Sequence, residues 1–153
     1  MKLAVGSDEQ THLTDAVAAE LQRRGHVVEL YGTLAGQATL WPEVGRQVAV
    51  RVAGGDCDEG ILFCWTGTGV SIVANKVPGI RAALCVDGPT AAGARRWNHA
   101  NILVMSLRLA SEAVACEILD AWFSTPFGVG EDAECVRQLA EIEERSGVTA
   151  TRR

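Results

Sequence analysis

Short apolar runs alternate along this chain with segments whose apolar positions recur every three or four residues. Apolar runs are typical of buried strands, and the periodic segments are typical of amphipathic helices. The pattern predicts strands at residues 3–6, 26–30, 60–64, 80–86 and 102–105. It predicts helices at residues 14–24, 42–54, 71–75, 90–97, 111–122 and 132–145.

This order of strands and helices indicates a parallel sheet with helices on both faces. Right-handed crossovers then give a three-layer α/β/α Rossmann-like sandwich with a five-stranded parallel sheet. The turn after the first strand lacks a GxGxxG motif, which argues against dinucleotide binding. The last helix is strongly charged, and we expect it to extend towards a partner subunit.

The length of 153 residues predicts a single domain over residues 1–153, with a core at 1–126 and a C-terminal helix and tail at 127–153. The formal net charge of -5 argues against nucleic acid as a partner. The terminal pair Arg152 and Arg153 is expected to be a frayed end. Apolar runs are too short for a membrane span, and the N-terminus lacks a signal-peptide pattern. Five cysteines without a Cys-x-x-Cys pair indicate reduced thiols in a cytoplasmic protein.

The segment from Gly60 to Ser71 is the most informative part of the chain. It predicts a buried strand, a glycine loop and the start of a helix, with Cys64 at the carboxyl end of the strand. Open α/β sheets bind ligands at that end, and backbone N–H groups at a helix start bind anions. A helix N-terminus also favours a neighbouring thiolate. Cys64 is therefore a candidate general base, although a small buried hydrophobic residue is the alternative interpretation.

Other candidates depend on position alone. Asp8 follows the first strand and could bind sugar hydroxyls or orient a proton carrier, or it could be a helix N-cap or a turn residue. Asn98 could bind a substrate oxygen, and His99 could be an acid–base group or simply a solvated side chain; His12 has the same ambiguity. Trp65 and Trp97 could stack on a sugar or pack in a core or interface.

Residues 64–84 carry a long motif, Cys-Trp-Thr-Gly-Thr-Gly-Val-Ser-Ile-Val-Ala-Asn-Lys-Val-Pro-Gly-Ile-Arg-Ala-Ala-Leu. This motif closely resembles the ribose-5-phosphate isomerase B family, which also contains the galactose-6-phosphate isomerase subunits. Residues 6–8, 97–101 and 120–122 are similar to further motifs of that family. The resemblance covers residues 1–126.

The resemblance implies a metal-free aldose–ketose isomerase that uses no cofactor and acts on a sugar phosphate through an enediolate. The resemblance implies Cys64 as the base, the loop N–H groups of residues 67–71 as the oxyanion site, and Asp8 and Asn98 as ligands of the sugar oxygens. The predicted catalytic residues are Cys64, Thr66 and His99. The predicted substrate-binding residues are Asp8, Glu9, Gly67, Thr68, Gly69, Val70, Ser71, Trp97, Asn98, Arg108 and Arg137. The resemblance also implies a homodimer or homotetramer whose active sites are each built from two subunits.

The chain departs from the family pattern at several of these positions. Glu9 replaces a histidine, Trp97 replaces the histidine that opens the sugar ring, and His99 stands where the family has Asp. Glu131 and Cys135 replace two arginines that bind phosphate in the partner subunit. Arg108 matches a basic position after the fifth strand, and Arg137 is a possible shifted substitute.

These departures predict an isomerase of this family with a changed substrate. We expect the substrate to be a different sugar phosphate held by Arg108, or a polyol or sugar without phosphate. A non-catalytic sugar-binding or regulatory homologue is the alternative from another class. A thiol enzyme with Cys64 as nucleophile is a third, and a Cys–His pair would require contact between the two side chains.

Overall fold

The computed structural model describes residues 1–147; the predicted terminal pair Arg152 and Arg153 and the end of the tail lie outside the described residues. The strands are β1 (Lys2–Ser7), β2 (Val27–Gly32), β3 (Glu59–Cys64), β4 (Ala82–Leu84) and β5 (Ile102–Ser106). The helices are α1 (His12–Arg23), α2 (Trp41–Ala53), α3 (Thr68–Ala74), α4 (Gly88–Asn98), α5 (Glu112–Ser124) and α6 (Glu131–Arg145). A single 3₁₀ turn, Thr33–Ala35, follows β2.

The five strands form one parallel sheet in the order β2-β1-β3-β5-β4. Helices α1, α4 and α5 contribute to the apolar core on one face, and α2 and α3 contribute to the core on the other. The predicted α/β/α sandwich is thereby confirmed. Because the strands are parallel, one edge of the sheet carries all the carboxyl ends and the opposite edge all the amino ends; we call these the carboxyl edge and the amino edge.

Two elements differ from the sequence-based expectation. Helix α3 begins at Thr68 rather than residue 71, because the glycine loop already supplies its first turn. Strand β4 has three residues rather than seven, since Asp87 ends the extended segment by capping α4 through the Thr90 N–H (2.7 Å).

The short outer strand β4 is flanked by the side chain of Asn75. Its amide nitrogen donates to the Ala82 carbonyl (2.9 Å), and its amide oxygen accepts from the Ala82 N–H (2.8 Å). An amide side chain can satisfy a backbone donor and acceptor together because it carries both groups. Asn75 thereby binds both backbone polar groups of Ala82.

Helix α6 follows the sandwich and packs beside α4. None of its residues is fully buried, although Leu139 and Ile142 are large apolar side chains on its surface. Within residues 1–147 no helix is long and apolar enough to cross a membrane. The expectation that α6 contacts a partner subunit stays a prediction.

Candidate active site

Cys64 is the last residue of β3 and lies at the carboxyl edge. Its backbone carbonyl accepts hydrogen bonds from the N–H groups of Gly67 (3.2 Å) and Leu107 (3.1 Å). Its side chain is only 6% exposed and packs with the core on the α2 and α3 side. The thiol position is therefore fixed by the strand and by two loops that bond to the same carbonyl.

The glycine loop turns directly from β3 into α3. Gly67 is the N-cap of α3, and its φ of 78° lies in the left-handed region that favours glycine. A Cβ at this position would lie 2.5 Å from Leu84 Cδ1 and 3.4 Å from the Met105 backbone. The hydroxyls of Thr66 and Thr68 are 2.7 Å apart and hydrogen-bond to each other. A glycine is thus required both by the backbone angle and by the close neighbours.

The N–H groups at the start of α3 divide into bonded and open ones. Gly67 N–H is bonded to Cys64, and Ser71 N–H donates to the Gly67 carbonyl (3.2 Å). The N–H groups of Thr68, Gly69 and Val70 occupy the first turn, where an α-helix offers no carbonyl partner, and no side chain caps this helix. The sequence predicts an anion site at the N–H groups of residues 67–71, and three of these groups are open to a ligand. We call the N–H groups of Thr68, Gly69 and Val70 the cradle.

One wall of the cradle is an aromatic ring that the sequence interpretation missed. A Cβ on Gly69 would lie 3.0 Å from the Trp41 ring, so the indole lies directly against this glycine. Trp41 is the first residue of α2 and directly precedes Pro42. This position at a helix start is the signal in the sequence that could have pointed to Trp41. Trp65, directly after Cys64, is 56% exposed. The Trp41 indole is therefore close to the glycine loop in space, and Trp65 is next to Cys64 in the chain.

Asp8 follows β1, which is hydrogen-bonded beside β3, so it lies at the same edge as Cys64. Of the two structural alternatives, the helix N-cap is wrong because Thr11 caps α1, while Asp8 does lie in the bend that follows β1. Asp8 Oδ1 is buried without a hydrogen-bond partner among the described residues. Burial raises the pKa of this carboxyl. An unpartnered buried oxygen at the edge that also carries the cradle makes Asp8 a candidate ligand contact.

Glu9 and Arg108 are also at the carboxyl edge. Glu9 is exposed, and its N–H donates to Ser7 Oγ (3.1 Å). Arg108 is exposed, and its backbone N–H donates to the Trp65 carbonyl (3.0 Å). The structure thus brings Asp8, Glu9 and Arg108 to the edge that holds Cys64 and residues 66–71.

Trp97, Asn98 and His99 lie at the amino edge instead. They end α4 and precede the first residues of β5. His99 has a φ of 47°, its Nε2 lies 2.8 Å from the Gly128 carbonyl oxygen, and its ring stacks on Phe127 at 4.5 Å. Within one chain these residues therefore cannot join Cys64. The His99 ring is committed to holding the segment between α5 and α6, which gives the acid–base role predicted for it no support.

A buried ion pair links the last turns of α4 to the start of β3 at the amino edge. Arg95 pairs with Glu59 (2.6 Å), which also accepts from Trp122 Nε1 (2.6 Å). The Arg95 guanidinium lies 4.8 Å from the Trp122 ring and 4.4 Å from the Phe127 ring. Burial raises the pKa of Glu59, while the Trp122 hydrogen bond and the Arg95 charge oppose that shift. The signal in the sequence for this network was Glu59, a charged residue at the start of a buried strand.

Arg137 lies on α6 and is bound within its own helix. It pairs with Glu134 and Glu141, and Glu131 and Asp132 add further negative charge to the first turn. A groove of about 600 Å³ separates α6 from the β4 side of the sandwich, and Asn98 lies in its wall. The structure thus separates Arg137 and Asn98 from Cys64, as it does Trp97.

An α/β/α sandwich with a thiol, an unpartnered carboxyl and three open N–H groups at its carboxyl edge suits an enzyme that transfers protons. Residues 3–139 match the family model described as Ribose/Galactose Isomerase. The chain belongs to this family and is an aldose–ketose isomerase.

Relatives support the same assignment. The chain is 38% identical to ribose-5-phosphate isomerase B of Escherichia coli strain K12, over 94% of this chain and 97% of that protein. It is 34% identical to D-erythrulose-4-phosphate isomerase of Pectobacterium atrosepticum, over 94% of this chain and 95% of that protein. The structure of ribose-5-phosphate isomerase B from Clostridium thermocellum matches with a TM-score of 0.90 and 39% identity, over 95% of this chain and 99% of that one. These matches favour an enzyme over the non-catalytic alternative.

Proposed function

We propose that the enzyme interconverts an aldose phosphate and a ketose phosphate, with Cys64 as the base that moves the proton between C2 and C1. The observation that carries this proposal is the cradle beside Cys64, with three N–H groups that have no partner in α3. The relatives described above are named for a five-carbon and a four-carbon sugar phosphate, which supports a sugar phosphate as the substrate class.

The reaction is a balanced transfer of protons within one molecule. The Cys64 thiolate removes the C2 proton of the open-chain aldose, and the electron pair of that bond moves to the C1 carbonyl oxygen. The cradle N–H groups stabilise the oxygen that gains negative charge. The thiol returns the proton to C1, while the hydroxyl proton moves from O2 to O1. No oxidant or reductant is needed.

The substrate-binding site would be completed by a second copy of the chain. Trp97 and Asn98 lie at the amino edge, so they can act beside Cys64 only if they come from another molecule. The apolar residues of α6, including Leu139 and Ile142, would be covered in the same assembly. We therefore propose a homodimer, or a tetramer made of such dimers, with two shared sites per dimer.

The base assignment is tested by comparing Cys64→Ala with Cys116→Ala, an exposed cysteine on α5. Isomerisation and the exchange of the C2 proton with deuterium oxide should be measured on four-carbon and five-carbon aldose phosphates. We expect Cys64→Ala to lose on the order of 1,000-fold in kcat, and Cys116→Ala to retain its rate. Equal rates for Cys64→Ala and the parent enzyme would refute the assigned base.

An isomerase of an unphosphorylated sugar is the second candidate. Glu131, Asp132 and Glu134 at the start of α6 favour it, because this acidic turn would repel a phosphate dianion. Free aldoses in the same assay decide between the two. A higher kcat/KM on a free aldose than on its phosphate would establish the second candidate.

A further inference from the structure

All three histidines contact groups other than the cradle. His99 contacts Gly128, and His26 precedes β2 at the amino edge and stacks on Phe123 at 4.6 Å. His12 is at the carboxyl edge, but its helix packs on the opposite face of the sheet from Cys64. Its side chain is 87% exposed and pairs with Glu112 (2.6 Å). Among residues 1–147, no imidazole is hydrogen-bonded to Cys64 or its loop.

A sugar that closes into a ring requires acid–base help before Cys64 can act. In an aldopentose 5-phosphate the C4 hydroxyl adds to C1 and forms a five-membered ring. Opening that ring takes a proton from the C1 hydroxyl and gives one to the ring oxygen, and imidazole is the side chain most often used. Near the end of α4, at the amino edge that the proposed dimer brings to the partner's site, the chain has Trp97, whose indole only donates a hydrogen bond.

From these observations we propose that the substrate is an open-chain, four-carbon sugar phosphate, with its phosphate bound by Arg108. This inference rests on the proposed function. In a four-carbon sugar 4-phosphate the C4 oxygen is esterified, so a five-membered ring cannot form. The C3 hydroxyl could close only a strained four-membered ring. Such a substrate arrives at Cys64 already open and needs no ring-opening group.

The tryptophans around the site fit a short substrate. The Trp41 indole contacts Gly69 in the cradle, and Trp65 follows Cys64 directly. Trp97 lies over Gly93, where a Cβ would be 2.6 Å from its ring, and remains 56% exposed. In the proposed dimer this exposed indole lies in the partner's site. The Trp41 ring, joined in the proposed dimer by the partner's Trp97 ring, takes space that smaller residues would leave to a longer carbon chain.

The charges also fit a short substrate. Removing one carbon places the phosphate one bond closer to Cys64, and therefore closer to residues of the carboxyl edge. Arg108 is held at that edge by its bond to the Trp65 carbonyl, and its side chain forms no ion pair with another described residue. Arg137 is already neutralised by Glu134. Arg108 is thus the cation best placed to meet the phosphate.

The first experiment compares kcat/KM of the full-length enzyme on D-erythrulose 4-phosphate and on D-ribose 5-phosphate. We expect a preference for the four-carbon substrate on the order of 100-fold, which is the contribution of a general acid–base group that the site lacks for ring opening. An equal or higher kcat/KM on D-ribose 5-phosphate would overturn the inference, since some other group, such as the Asp8 carboxyl, would then open the ring.

The second experiment supplies the missing group. Trp97→His should shift the ratio of the two kcat/KM values towards D-ribose 5-phosphate by at least about tenfold. Trp97→Phe is the matched control, because it shortens the side chain without adding an acid–base group. If both variants shift the ratio equally, the effect is one of space alone and the ring-opening argument fails.

The third experiment tests the phosphate contact. Arg108→Gln should raise KM for D-erythrulose 4-phosphate by about tenfold, a typical cost for a charged hydrogen bond. Arg23→Gln, an exposed arginine paired with Glu20 at the far end of α1, is the control. Equal KM values for Arg108→Gln and the parent would remove Arg108 from the proposal.

These outcomes are distinguishable from failure of the proposed function. If Cys64→Ala isomerises the four-carbon substrate as fast as the parent, the assigned base is wrong whatever the chain length. If Cys64→Ala is inactive but the parent prefers D-ribose 5-phosphate, the base assignment stands and only the substrate inference falls.

Discussion

The two edges of the sheet treat a buried carboxyl in opposite ways. At the amino edge, both oxygens of Glu59 are bound, by Arg95 and Trp122, in a network closed by aromatic rings, although Arg95 Nε and His26 Nδ1 have no partner among the described residues. At the carboxyl edge, Asp8 Oδ1 has no partner among the described residues, and the first turn of α3 is uncapped. Satisfied buried groups add rigidity, whereas unsatisfied ones cost stability and are retained where a ligand completes them. The bound carboxyl of Glu59 therefore contributes to stability, whereas the open carboxyl of Asp8 is a candidate for binding a ligand.

The largest expected effect comes from breaking the amino edge. Glu59→Ala should lower the free energy of unfolding by about 3–5 kcal/mol, because it leaves the Arg95 charge buried and unpaired. Chemical denaturation of the variant measures this. The matched control is Glu43→Ala, which removes an exposed partner of Arg46 and should cost less than about 1 kcal/mol.

A double variant sharpens this prediction. Glu59→Leu with Arg95→Met removes both charges and should be less destabilised than Glu59→Ala, since a buried pair replaced by apolar groups is often neutral. If the double variant loses as much as the two single changes together, the network does not stabilise through its charges.

The second largest effect is expected from a substitution at the carboxyl edge. Gly67→Ala should cost about 2–3 kcal/mol of unfolding free energy, because alanine is strained at a φ of 78° and Leu84 must move. It should also lower kcat on the order of 100-fold by shifting the cradle. Gly25→Ala is the control, with a φ of 82° and no atom within 4 Å. It should cost about 1 kcal/mol and leave kcat unchanged. Equal kcat values for the two variants would show that the loop does not position the cradle.

The smallest expected effect is a change in Tm, which should have opposite signs when the carboxyl of Asp8 or of Glu29 is replaced by an amide. Burial raises the pKa of Asp8 above its ordinary value of 3.8. Its ionised form therefore costs stability at pH 7, and below 3.8 both states are protonated and the cost is absent. Asp8→Asn should raise Tm slightly at pH 7, and the gain should shrink as the pH falls towards 4.

Glu29, on β2, should behave in the opposite way. Its hydrogen bonds from Lys2 and Tyr31 lower its pKa from 4.5 to about 2. It contributes stability above pH 4.5, which is lost as the pH falls towards 2. Glu29→Gln should therefore lower Tm at pH 7. Thermal melts of both variants between pH 4 and pH 7 check the pair; Tm shifts of the same sign would contradict the opposite pKa shifts of the two carboxyls.

Periodicity predicted every strand and every α-helix of the sandwich, because each element buries one regular apolar face. The boundaries of α3 and β4 were missed where local polar bonds decide them: the Gly67 turn starts one helix early, and the Asp87 cap ends one strand early. The carboxyl-edge position of Cys64 and Asp8 followed directly from strand order. That Trp97 and Asn98 lie at the other edge could also have been inferred, since they precede a strand rather than follow one. The partners of Glu59 and the contact of Trp41 with Gly69 depend on packing across long sequence separations, which a pattern along the chain does not show.

The amide of Asn75 has a consequence for how molecules meet in a concentrated solution. An outer strand with open backbone groups can recruit strands from other molecules and start an ordered aggregate. Strand β4 has three residues, and Asn75 already binds both backbone polar groups of Ala82. This side of the sheet therefore offers a neighbouring chain little template for strand addition. The same bonds that shape the loop after α3 thus favour contacts through side-chain surfaces over growth of the sheet.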